Sequence, residues 1–304
     1  MPGPVFNPRS PIGRFAPTPS GPLHYGSIVA ALGSYLDARH QGGRWLVRME
    51  DIDPPRVRPN ADTLILSALE TLGLHWDGEV LYQSSRLPAY AEAMEQLRAR
   101  GLVYACACKR KDVSGRPYPG TCRTKQFHSA VRISLRLRAT TGNVSFNDAI
   151  QGTFTQNIAD ETGDFIVRRS DGLTAYHLAV VVDDHWQGVT QVVRGADLMS
   201  ATPAQICVQK ALGIPAPEYA HLPTVVDANG KKISKSLSAE AVLLKTQPGT
   251  LLLSVLRFLG QDPDPELEGY EVHDILAWAT LHWRRAGVSK ERQLQVTSHK
   301  INSP

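Results

Sequence analysis

At 304 residues and 42% apolar composition, the chain has enough length and hydrophobicity for one large domain or two ordinary ones. Its 33 Lys and Arg against 29 Asp and Glu leave a net charge of +4, which permits a polyanionic partner without demanding one. No stretch approaches the roughly 20 apolar residues of a membrane span, the Pro-rich start lacks a signal-peptide core, and Cys usage does not suit a secreted disulfide framework, so a cytoplasmic protein is expected.

A strand around Arg14 to Pro17 runs into Pro22-Leu23-His24-Tyr25-Gly26-Ser27. There a helix opens, marked by Ile28, Val29, Ala31, Leu32, Tyr35 and Leu36 at helical spacing and stopped at Gly42-Gly43. An anion at that helix start would meet unpaired backbone N–H groups and the positive dipole end, with His24 placed to touch it. The next strand, from Arg44, ends on Glu50 beside Asp51 and Asp53, and Ala61 to Leu72 and Ala89 to Arg100 form amphipathic helices. This alternation predicts a parallel sheet with a nucleotide at the carboxyl ends of its strands.

From Tyr104 to His128 the rhythm breaks into an inserted subdomain rich in Cys, Pro, Gly and basic residues. Cys106, Cys108 and Cys122 can converge on a tetrahedral Zn²⁺ with one position left over, for which His128 or Asp112 are ordinary ligand types. Val131, Ile133, Leu135 and Leu137 then alternate with Arg132, Ser134, Arg136 and Arg138, a strand whose basic face meets either solvent or a phosphate backbone. Leu178 to Val182 reads as a short buried strand, with Asp183 and Asp184 at its exposed end. Cys207 reads as a small buried hydrophobe on an amphipathic helix. The three lysines of Lys231-Lys232-Ile233-Ser234-Lys235-Ser236 suit a mobile clamp on spreading phosphate charge, with Lys235 as its working residue. Helices are expected at Thr250 to Leu259 and His273 to His282, before a polar tail from Ser289.

The segments at His24 to Ser27 and Lys232 to Ser236 resemble, in order, the HIGH and KMSKS signatures of class I aminoacyl-tRNA synthetases. Arg14-Phe15-Ala16-Pro17-Thr18-Pro19-Ser20-Gly21-Pro22-Leu23-His24, the strand from Arg44 to Asp53, Asp171 to Asp184 and Val193 to Leu198 are similar to glutamyl-tRNA synthetases, so the resemblance runs from residue 14 to about residue 240. It implies an α/β fold: a Rossmann-like parallel sheet with an inserted zinc-binding, acceptor-type subdomain and a small helical C-terminal stem-contact region, without an anticodon-binding domain. The corresponding divisions are 1–103 and 166–225 for the two catalytic halves, 104–165 for the insertion and 226–304 for the lysine loop and helical region.

An amino acid with two carboxylates and one ammonium needs two cationic partners and an anionic one, and Arg14, Arg194 and Glu50 supply that set, with Tyr176 adding a hydroxyl. The resemblance implies that Arg14, Phe15, Ala16, Pro17, Thr18, Glu50, Tyr176 and Arg194 line an L-glutamate site, the α-amino group facing Glu50. It also implies that His24, Gly26 and Lys235 meet ATP with its Mg²⁺, and that Tyr118 joins the three cysteines around one structural zinc. Glutamate would attack the α-phosphate of ATP without any protein nucleophile.

The stretch from 237 to 304 is too short for an anticodon domain of typical size. By resemblance this points to the short relatives of glutamyl-tRNA synthetase, monomers that attach glutamate to queuosine in the anticodon of tRNA(Asp). The rivals are a truncated synthetase charging the 3′ end of tRNA(Glu) and a noncatalytic tRNA-binding paralogue. The latter would be expected to have lost His24 or Lys235, and both are present.

Overall fold

The computed structural model describes residues 10–113, 117–128, 131–139, 142–227, 230 and 246–295; the lysine loop at 231–236, with Lys235, lies outside the described residues. The chain begins with β1 (Ile12–Phe15), α1 (Tyr25–His40), β2 (Arg44–Met49), α2 (Ala61–Thr71), β3 (Leu81–Tyr82) and α3 (Leu87–Ala99). The cysteine-rich part follows, with β4 (Val103–Cys106), α4 (Arg110–Val113) and β5 (Ser134–Leu137), then the hairpin β6 (Asn143–Asp148) and β7 (Gly152–Asn157), α5 (Ile158–Glu161) and β8 (Phe165–Arg168). Next come α6 (Tyr176–Trp186), β9 (Gln191–Gly195), α7 (Thr202–Leu212), β10 (Glu218–Leu222) and β11 (Thr224–Val226). The described part closes with α8 (Pro248–Phe258), α9 (Val272–His282) and β12 (Gln293–Gln295).

Strands β1, β2 and β3 are parallel, with Ile12 opposite Arg44, as are β9 and β10, with Glu218 opposite Gln191. Thr190 N–H donates to Ile12 O at 3.0 Å, so β9 lies beside β1 and the two parallel groups meet there. Strands β4, β5 and β8 form a separate antiparallel sheet. One core surrounds α1: Ile28, Leu32 and Leu36 pack with Trp45, Leu69 and Leu222, and also with Leu252, Leu256 and Ile275 of the two last helices. A second core gathers Leu97, Leu135, Leu137, Val167, Leu178 and Val208. Among the described residues no helix is long and apolar enough to cross a membrane.

Two sequence expectations are corrected. Leu178 to Val182 belongs to α6, not to a strand, and Asp183 and Asp184 are buried on that helix. Leu178, Ala179, Val180 and Val181 are all buried, so this helix shows none of the polar alternation that reveals an amphipathic one. The supposed basic face of β5 is likewise buried at Arg136, which lies 3.8 Å over the Tyr118 ring and donates to Asp164 O at 2.7 Å. Arg132 and Arg138 are exposed, but Val131 and Ile133 are exposed too, because the strand begins only at Ser134.

Candidate active site and a three-cysteine cluster

Strands β1, β2, β9 and β10 end around one cleft of about 310 Å³, lined by Arg14 to Thr18, Glu50, Tyr176, Arg194, His24 and Gly26. The loop from β1 into α1 passes Gly21 at φ 146°, a conformation that other residues rarely adopt. His24 is the N-cap of α1, and its Nδ1 accepts from Ser27 N–H at 3.1 Å. With Nδ1 accepting, the proton of a neutral ring sits on Nε2, which makes that atom a donor.

Behind the cleft lies a charged layer. Arg48 is fully buried, with Nη2 at 2.8 Å from Asp184 Oδ1 and 3.6 Å from Glu50 Oε1, while Nη1 donates to Gln187 Oε1 at 2.7 Å. Arg14 Nε also reaches Asp184 Oδ1, at 3.2 Å. Burial alone would raise the Asp184 carboxyl, but Arg14 and Arg48 outweigh it and hold it below the ordinary carboxylate range. At Glu50 burial wins over Arg48 and Arg14 and pushes the carboxyl up. A cation beside Glu50 would favour its charged form.

Arg194 differs from the other two arginines. Among the described residues it makes no ion pair; its guanidinium is held by His221, Tyr176, Thr202 and Gln205, all through neutral groups. A buried cation so arranged is ready for an anionic ligand.

The thiols of Cys106, Cys108 and Cys122 lie within 4.8 Å of one another and form no disulfide. Tyr118 Oη sits 3.2 Å from Cys106 Sγ and 3.5 Å from Cys108 Sγ. Neither His128 nor Asp112 joins the group. Burial would raise the Cys106 thiol, yet the hydrogen bonds of Tyr118 and Arg136 bring it down to about 7, a thiolate-favouring environment. Three converging thiols with one open tetrahedral position fit zinc chemistry.

Residues 12–116 and 121–286 match the family model for the catalytic domain of class I tRNA synthetases (E and Q). The chain is 50% identical over 285 residues to a glutamyl-Q tRNA(Asp) synthetase of Ectopseudomonas mendocina, covering 93% of this chain and 96% of that protein. Against the glutamyl-Q tRNA(Asp) synthetase of Thiobacillus denitrificans the identity is 50% over 286 residues, covering 91% and 95%. The chain belongs to the glutamyl-Q tRNA(Asp) synthetase family. A crystal structure of glutamate-tRNA synthetase from Elizabethkingia anophelis shares this family's catalytic fold, with a TM-score of 0.82 at 24% identity over 96% of this chain and 69% of that one.

In this member of the glutamyl-Q tRNA(Asp) synthetase family, the structure brings together every cleft residue named from the sequence within the described part. Sequence reasoning offered Arg48 only as an alternative partner of Glu50, and it missed the roles of Asp184, His221, Asp148, Thr202 and Gln205; all six support the cleft from behind. Two of them carried a readable signal. Arg48 interrupts the apolar strand Trp45-Leu46-Val47-Arg48-Met49, and His221 interrupts Tyr219-Ala220-His221-Leu222, and a polar residue inside a buried strand implies a buried partner.

Proposed function

We propose that the chain activates L-glutamate with ATP to glutamyl-adenylate and transfers the glutamyl group to the queuosine base in the anticodon of tRNA(Asp). The observation that carries the first step is the cleft itself: Arg194, which has no ion pair among the described residues, and the Glu50 carboxyl line the same space as the N-terminus of α1. Glutamate's two carboxylates go to Arg194 and Arg14, and its ammonium to Glu50. One α-carboxylate oxygen attacks the α-phosphorus of ATP, the bond to the β-phosphate oxygen breaks, and pyrophosphate leaves with its Mg²⁺. His24 Nε2–H, the positive N-terminal end of α1 and Lys235 stabilise the charge that develops on the phosphates. The second step rests on kinship with relatives that carry the glutamyl-Q tRNA(Asp) synthetase name.

Cys106, Cys108 and Cys122, with Tyr118 in the fourth place, would hold one zinc. Its contribution is structural, tying the cysteine loop together.

The test is charging with labelled glutamate. Pyrophosphate exchange should depend on glutamate and proceed without tRNA; queuosine-containing tRNA(Asp) should then accept the label and keep it after removal of the 3′ terminus. Label released with the 3′ adenosine, or preference for tRNA(Glu), would instead identify a synthetase that charges the acceptor end.

A further inference from the structure

A guanidinium has five N–H donors. Arg194 directs Nε–H to His221 Nε2 (3.2 Å), Nη2 to Thr202 Oγ1 and Gln205 Oε1 (2.8 Å each), and Nη1 to Tyr176 Oη (3.3 Å). Among the described residues, that leaves the second Nη1 N–H for a ligand in the cleft. His221 is fully buried and does not line the cleft; its Nε2 reaches the site through Arg194 and through Thr202 Oγ1 at 3.3 Å, which itself accepts from Arg194. For Nε2 to accept, the ring proton must sit on Nδ1, and Asp148 Oδ2 holds it there at 2.6 Å. Asp148 cannot turn away, because its Oδ1 accepts the backbone N–H groups of Ile150, Gln151 and His221 at 3.0, 2.8 and 3.1 Å. Burial pushes the His221 ring below its ordinary value against the pull of Asp148, so the ring stays neutral and its lone pair available.

We propose that His221, with its tautomer set by Asp148, is a positioning residue that orients Arg194 toward the substrate carboxylate. The inference rests on the reading of the cleft as a glutamate site. It makes a specific demand on Asp148→Asn. The three backbone N–H groups keep the new amide oxygen where Oδ1 was, so the amide NH₂ faces Nδ1, the ring proton moves to Nε2, and Nε2–H opposes Arg194 Nε–H.

The experiment measures glutamate and ATP dependence of pyrophosphate exchange in the full chain. Asp148→Asn should raise the KM for glutamate about tenfold or more, since a buried charged donor loses its acceptor, while the KM for ATP stays near the parent value. His221→Leu should do the same, whereas His221→Gln, whose amide oxygen can accept from Arg194, should recover most of the loss. An unmoved glutamate KM in Asp148→Asn, an equal rise for ATP, or His221→Gln no better than His221→Leu would overturn the positioning role alone. Parent exchange that ignores glutamate would overturn the glutamate reading and this inference with it.

Discussion

Arg48 carries its charge in the interior because Asp184 and Glu50 meet it there, and removing Asp184, the nearer of the two, would leave the buried cation with Glu50 at 3.6 Å. His177 has the opposite problem. Its Nδ1 is buried with no hydrogen-bond partner among the described residues, and burial, aided by Arg194, takes the ring from its ordinary 6.5 down to about 4. The folded state therefore binds this proton less readily than the unfolded chain, so the contribution is intact above pH 6.5 and drains away as pH falls toward about 4. We expect a loss on the order of 1 to 3 kcal/mol across that window. Denaturant unfolding at a series of pH values should give a shallower slope for His177→Phe than for the parent. Identical slopes would remove His177 from the account. The depressed Asp184 carboxyl loses its contribution only below the ordinary carboxylate value of 3.8, so the two effects separate.

At the scale of elements, β5 shows how tertiary cover overrides alternation. Leu135 and Leu137 face the second core as their spacing suggests, but the opposite face is roofed by the cysteine loop, where Arg136 Nε donates to Cys106 Sγ at 3.2 Å. That roof is held by Arg123, bidentate to Asp164 at 2.7 Å on each arm, and by the close pass of Tyr118 over Gly163. A Cβ on Gly163 would lie 2.3 Å from Tyr118 N, and its φ of 67° is left-handed. Gly163→Ala should therefore cost about 1 to 3 kcal/mol of stability and displace Tyr118 from the thiols. Elemental analysis of protein purified without added zinc should find about one Zn per parent chain and clearly less in the variant. Full zinc retention with an unchanged unfolding midpoint would refute the tight pass.

For the whole molecule, one buried carboxylate adds to the apolar packing between α1 and the last helices. Asp37 accepts from Trp283 Nε1 at 3.0 Å and from Arg285 at 2.6 and 2.8 Å, tying the chain beyond α9 to the helix that opens the cleft. Asp37→Ala should destabilise the protein by about 2 to 4 kcal/mol and expose the segment after α9 to proteolysis, because Arg285 and Trp283 lose their buried acceptor together. Equal protease resistance and an unshifted unfolding curve would contradict this. The alternating elements, the helix start at His24 and the cysteine spacing were legible in the sequence because each is written in short-range periodicity or a local motif, whereas the cleft residues, spread over separate segments, came with the resemblance to glutamyl-tRNA synthetases. The identity of α6, the burial of Arg136, and the partners of Asp184, Arg194 and Asp37 were decided only by the tertiary structure. Those pairings join residues such as Arg14 with Asp184 and Asp37 with Arg285, far apart in the chain, and no local pattern encodes which distant group will satisfy a buried charge until packing excludes water from both.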